Sequence, residues 1–121
     1  MEVMGIRWLG VRAERYDEMV GFLRDVLGLD VVFEEDATTE LSLPDGNRVQ
    51  VFGPGHRYHG FFGEQAAGPV PLFEVDDLDD ARGTLEAAGI ELLGAPERDA
   101  AWEWLHFRAP DGNVYELARR L

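Results

Sequence analysis

The strongest constraint on this fold is a turn that occurs twice. Pro44-Asp45-Gly46-Asn47 and Pro110-Asp111-Gly112-Asn113 are the same tetrapeptide, each flanked by residues that alternate as strands do. Proline presets φ at the first turn position, Asp bonds its own backbone, and Gly and Asn tolerate positive φ, so each copy encodes a hairpin. Gln50 in the first copy falls where Glu116 falls in the second. Two matched hairpins imply two copies of one supersecondary unit, neither able to bury its apolar sheet face alone.

The elements around the hairpins repeat as well. Ile6 to Arg12 reads as a strand with Leu9 and Val11 on the helix-facing side. Tyr16, Met19, Val20, Leu23, Val26 and Leu27 recur at helical spacing and predict a helix over roughly Glu14 to Leu27, capped by Gly28. Strands are expected over Asp30 to Glu34, Thr38 to Leu43 and Arg48 to Phe52. Later in the chain, Val70 to Val75 reads as a strand. Asp77 is the expected N-cap of a helix with an apolar stripe of Leu78, Ala81, Leu85 and Ala88, ending at Gly89. Strands over Ile90 to Leu93, Trp102 to Arg108 and Val114 to Ala118 complete the second copy. The expectation is one domain, residues 1–121, made of repeats over about 1–53 and 69–121. The Gly-rich stretch 53–68 reads as a linker, because its glycines and proline interrupt both periodicities. His56 and His59, within it, are expected as exposed loop residues.

At 121 residues the chain can bury a core without covalent staples. There is no cysteine, which removes disulfides and thiolate metal sites and suits a reducing, cytoplasmic setting. No apolar run approaches the ~20 residues a bilayer requires. A formal charge of −13 disfavours nucleic acid and anionic membranes as partners. All basic side chains are arginine, and Ser42 is the single serine, so Schiff-base and serine-nucleophile chemistry are disfavoured.

The order of these units, together with Phe22-Leu23-Arg24-Asp25-Val26-Leu27-Gly28-Leu29, Phe73-Glu74-Val75-Asp76-Asp77-Leu78 and the closing Pro110-Asp111-Gly112-Asn113-Val114-Tyr115-Glu116-Leu117, resembles the vicinal oxygen chelate superfamily. This is the glyoxalase, bleomycin-resistance and extradiol-dioxygenase group. The resemblance implies an α+β fold in which two βαβββ modules form a curved, partly open mixed-sheet barrel with helices outside. In metal-dependent members it implies four ligand positions, which fall here on Trp8, Gln50, Val70 and Glu116. Glu116 is the one strong ligand among them, since Trp and Val offer no suitable lone pair and Gln is a weak neutral donor. No metal or other cofactor is therefore expected.

Hairpin counting adds to this set. With Ala109 opposite Asn113, His106 faces Glu116, and by the same count Glu40 faces Gln50. The expected ligand-binding residues are Trp8, Glu40, Gln50, Val70, Leu72, Trp104, His106 and Glu116, with His106 and Glu116 as candidate catalytic residues. Trp8 and Trp104 offer flat apolar surface, and Glu40 and Glu116 offer negative charge, suiting a small aromatic or cationic molecule. Arg12 and Arg48 share the inward parity and work against that preference.

Two functions follow as expectations. The first is a metal-independent, homodimeric binding protein of the bleomycin-resistance kind, acting by sequestration. The second is a lyase- or isomerase-type enzyme using Glu116 and His106, with a reduced metal site or as an acid–base pair.

Overall fold

The computed structural model describes all residues, Met1–Leu121. In chain order it contains β1 (Val3–Arg12), α1 (Tyr16–Gly21), β2 (Asp30–Glu35), β3 (Thr38–Ser42), β4 (Arg48–Phe52), α2 (Arg57–Gln65), β5 (Val70–Val75), α3 (Leu78–Ala87), β6 (Glu97–Arg98), β7 (Trp102–Arg108) and β8 (Val114–Arg120). Strand, helix and three strands occur twice, and each set mixes parallel with antiparallel pairing. The fold is α+β. No helix is long and apolar enough to cross a membrane.

The chain forms two compact units, Trp8–Pro69 and Met1–Arg7 with Val70–Leu121. The division falls inside β1 rather than between the repeats, so the first seven residues belong with the second repeat. In the Trp8–Pro69 unit the strand order is β2-β3-β4-β1, with β1 parallel to β4 and the other pairs antiparallel. Val20 and Leu23 bury against Leu41 and Val51, with Tyr16, Met19 and Val49 packed at the margin. The helix starts at Tyr16 and widens into a π-helical turn over Phe22–Val26. That turn rotates the expected stripe off its face. Val26 and Leu27, expected to be buried, are exposed together with Phe22.

The stretch expected to be a linker is instead α2. His56 caps it, its Nδ1 accepting from the Tyr58 amide at 3.1 Å. Phe62 is buried against Phe52, and Tyr58 stacks on Phe62 with centroids 5.4 Å apart. Aromatic burial of this kind outweighs the roughly 1 kcal/mol cost of each helical glycine. Glycine at 63 also leaves room for Arg12, since a Cβ there would lie 2.7 Å from Arg12 Nε and displace the guanidinium. His59 is accordingly buried rather than exposed.

In the other unit β5 runs parallel to β8, and β8-β7-β6 are antiparallel neighbours. Asp77 caps α3 as expected, accepting from the Asp80 amide at 3.0 Å. Leu78 and Ala81 bury against Val75, Leu105, Phe107 and Leu117, and each large side chain so buried contributes ~1.5–3 kcal/mol. Ile90 to Leu93 does not form the expected strand. It makes one bridge, Leu92 to Phe107, and the short strand β6 lies further on. Pro96, which cannot donate to a ladder, separates the two.

Candidate functional site

The expected site residues divide between the two units: Trp8, Glu40 and Gln50 in one, and Val70, Leu72, Trp104, His106 and Glu116 in the other. In the Trp8–Pro69 unit, Gly10 pairs with Gln50 and Glu40 faces Gln50 across the hairpin, as the turn register requires. Trp8 stands two residues from Gly10 and so shares its face. Its Nε1 donates to Gln50 Oε1 at 3.1 Å, Gln50 Nε2 donates to Thr38 Oγ1 at 3.0 Å, and the Thr38 hydroxyl donates to the Val51 carbonyl at 2.9 Å. The chain of bonds fixes the Gln50 amide and engages its oxygen. The indole lies over Gly10, where a Cβ would come within 2.4 Å of the ring.

Charge on this face is paired. Glu40 Oε1 lies 3.3 Å from Arg48 Nη1. Arg12 donates from Nε to the His59 carbonyl at 3.0 Å and reaches Glu14 at 2.7 Å, tying α2 to the end of β1. Burial lowers the His56 pKa, with Arg57 adding in the same direction, which favours a neutral imidazole as the cap of α2.

In the unit containing Val70–Leu121, the β7–β8 hairpin places His106 opposite Glu116 and Trp104 opposite Ala118, while β5 places Leu72 beside Glu116. Alternation puts Leu105 and Leu117 on the opposite face, against α3. Val70 is fully buried. His106 Nε2 lies 3.5 Å from Glu116 Oε1, and its Nδ1 lies 3.7 Å from Glu97 Oε2 on β6. Three neighbouring strands therefore carry a carboxyl, an imidazole and a second carboxyl in a row. Glu97 was not among the expected residues, because a two-residue strand gives no sequence pattern.

Glu116 is 4 % exposed, and its Oε2 makes no hydrogen bond. Burial raises its pKa to about 8, and the nearby negative charge of Glu97 adds to the shift. At neutral pH the carboxyl is thus mostly protonated and has a proton to give.

A second buried carboxylate was also missed. Glu74 on β5 receives Arg7 Nε at 2.8 Å and Arg120 Nε at 2.9 Å. These two arginines lower its pKa despite the opposing effect of burial, so Glu74 is ionised where Glu116 is not. Arg120 also lies over the Trp102 ring, 4.5 Å from its centroid.

The donor chemistry at the four family ligand positions is unsuited to a divalent ion. An indole N–H is a donor, the Gln50 oxygen already accepts from it, and Val70 is apolar, which leaves Glu116 as the one carboxyl among the four. No group of three His, Asp or Glu side chains is arranged to hold a metal.

Among solved structures, a methylmalonyl-CoA epimerase from Mycobacterium tuberculosis is 23% identical, with TM-score 0.76 over 98% of this chain and 89% of that one. A glyoxalase/bleomycin resistance protein/dioxygenase superfamily member from Vibrio splendidus 12B01 is 21% identical, with TM-score 0.71 over 95% and 99%. The Mn(II)-bound glyoxalase from Novosphingobium aromaticivorans is 23% identical, with TM-score 0.71 over 97% of this chain and 39% of that one. At these identities the likeness is one of fold. No curated protein matches the chain. The family model of the Glyoxalase/Bleomycin resistance protein/Dioxygenase superfamily matches residues 5–117, and the chain belongs to that superfamily.

Proposed function

We propose that this chain is a metal-independent small-molecule-binding member of the superfamily, holding an aromatic compound by sequestration, without making or breaking a bond. The observation that carries this reading is the Trp8–Gln50–Thr38 hydrogen-bond chain. It spends the Gln50 oxygen on an indole N–H, so a position that would bind an ion carries a fixed aromatic ring instead.

The charge pattern favours aromatic over cationic character in the ligand. Glu40 is paired with Arg48, and Glu116 is protonated at neutral pH. Trp8 and Trp104 remain as binding surface in their respective units. The test is a tryptophan-fluorescence titration with benzamide, a neutral planar compound, alongside a basic glycopeptide drug. Benzamide quenching that is saturable and survives prior dialysis against a chelator is the expected result. Failure of both compounds to quench, or quenching that requires added divalent metal, would overturn the proposal.

The row of Glu97, His106 and Glu116 favours a second reading, an isomerase- or lyase-type enzyme. A carboxyl whose pKa is moved close to neutrality beside an imidazole is suited to proton transfer. An epimerase and a glyoxalase stand among the structures of similar fold. Such an enzyme would exchange a substrate C–H with solvent deuterium, and Glu116→Gln would abolish the exchange. Binding without exchange across a panel of small carbonyl compounds would favour sequestration.

A further inference from the structure

We infer that Arg7 and Arg120, joined by Glu74, form an anion-binding subsite that takes a carboxylate group of a small ligand. The inference rests on the proposed binding function, since it names the polar end of the compound held by the unit containing Val70–Leu121. Two guanidiniums share one carboxylate in a chain whose formal charge is −13, leaving one local positive charge. Glu74 is 6 % exposed, whereas the Arg120 side chain is 64 % exposed. The carboxylate is thus an internal clamp, and the cations face outward.

Donors remain unused. Arg120 spends Nε on Glu74, and both of its Nη atoms are uncommitted. Arg7 spends Nε on Glu74 and Nη2 on the Met4 carbonyl at 3.1 Å, leaving Nη1. Each head is packed on one side. Trp102 stacks under Arg120, and the Arg7 guanidinium lies over Gly5, where a Cβ would sit 2.4 Å from Nη1. Gly5 has φ of +150°, so a side chain there would be strained as well as crowded. A planar fork with free N–H groups suits a carboxylate bound through two parallel hydrogen bonds. A dianionic phosphate fits less well, because only one net positive charge is present beside Glu74.

The subsite shares its sheet face with the residues already described. Glu116, Ala118 and Arg120 alternate onto one side of β8, as do Trp102, Trp104 and His106 on β7. Arg120 stands four residues from Glu116, about 13 Å along the strand. Trp104 lies between, opposite Ala118. A ligand with a carboxylate at Arg120 would lay its apolar body over Trp104 and bring its far end toward His106 and Glu116. This subsite favours an acidic over a basic compound, the opposite of the preference read from the sequence.

The test follows the indole N–H signals of Trp8, Trp102 and Trp104 in the 15N-labelled full chain during titration with benzoate and, separately, benzamide at fixed ionic strength. Benzoate is expected to shift Trp102 saturably. Benzamide is expected to leave Trp102 in place. Arg120→Gln is expected to weaken the benzoate response at least tenfold, and Arg120→Lys to recover only part of it. Arg7→Gln serves as a second variant, and the thermal midpoint of each variant verifies folding. Equal Trp102 shifts with benzoate and benzamide, or a benzoate response unchanged in Arg120→Gln, would overturn the subsite. A benzoate response at Trp102 with no response of the Trp8 or Trp104 indole N–H to either compound would leave the subsite standing and remove the aromatic-binding reading.

Discussion

Glu116 and Glu74 show how far one residue type is tuned by its neighbours. Both are buried carboxyls in the same unit. Glu74 has two arginines and is ionised, while Glu116 has an imidazole at 3.5 Å, a second acid nearby and a pKa of about 8. The consequences for stability have opposite signs. Glu116 binds its proton more tightly folded than unfolded, so it stabilises the fold fully below its ordinary value of 4.5 and loses that contribution as pH rises toward 8. The total is on the order of a few kcal/mol. Glu74, Glu103 and Asp111 are depressed, so their contribution is present above their ordinary values and lost in acid. Chemical denaturation from pH 5 to 8 should therefore show the Glu116 contribution falling with pH in the wild type, against a smaller opposing gain from His56, whose lowered pKa adds stability as pH rises toward 6.5. The slope should be reduced in Glu116→Gln, whose amide has the same shape and does not titrate. An unchanged slope would mean that Glu116 is ionised in the folded chain. That His106 faces Glu116 was legible from the sequence, because the Pro-Asp-Gly-Asn turn fixes the register. The pKa was not, since it depends first on how deeply the carboxyl is buried and then on Glu97, which the short strand β6 delivers.

At the scale of elements, legibility followed local chemistry. The hairpins, the Asp77 cap and the glycines after α1 and α3 are encoded within a few residues, and they occur where the turn and cap rules place them. The α2 helix is encoded by distant partners. Its glycines suggest a loop, but Phe62 packs on Phe52 and Gly63 makes room for Arg12, neither of which is visible in the local pattern. Phe62→Ala should cost about 3–5 kcal/mol in urea unfolding, the range for a buried aromatic truncated in a core. A cost below 1 kcal/mol would show α2 to be loosely attached. Gly10→Ala tests the ring above it. Its Cβ would overlap the Trp8 indole, so the variant should lose ~1–3 kcal/mol or displace the ring, with a changed Trp emission as the sign of displacement. A silent Gly10→Ala, with neither change, would mean that the Trp8 ring is not held over β1 at all.

At the scale of the molecule, each unit carries its own apolar core, yet the Trp8–Pro69 unit leaves much apolar surface uncovered. All six residues of β2 are exposed, including Val31, Val32 and Phe33, and Phe22, Val26 and Leu27 are exposed as well. β2 is also the end strand in its unit's order, so one row of its backbone groups has no strand partner. Exposed apolar side chains along an open strand edge are unusual for a chain that stays alone. The high negative charge opposes indiscriminate aggregation without preventing a specific contact whose centre is apolar. We propose that the homodimer expected from the sequence forms at this edge, with a second copy as its partner. Sedimentation equilibrium should give twice the 13.6 kDa chain mass at micromolar concentration. Phe33→Glu, which adds a charge at an exposed position where folding is not at stake, should shift the population to single chains while leaving the circular dichroism spectrum unchanged. Added salt gives a further discrimination. It should strengthen the dimer by screening repulsion between two acidic chains, whereas a contact held by ion pairs would weaken. A wild-type chain that sediments as a monomer across that range would leave β2 as a solvated edge, protected from other strands by Asp30, Glu34 and Glu35 alone.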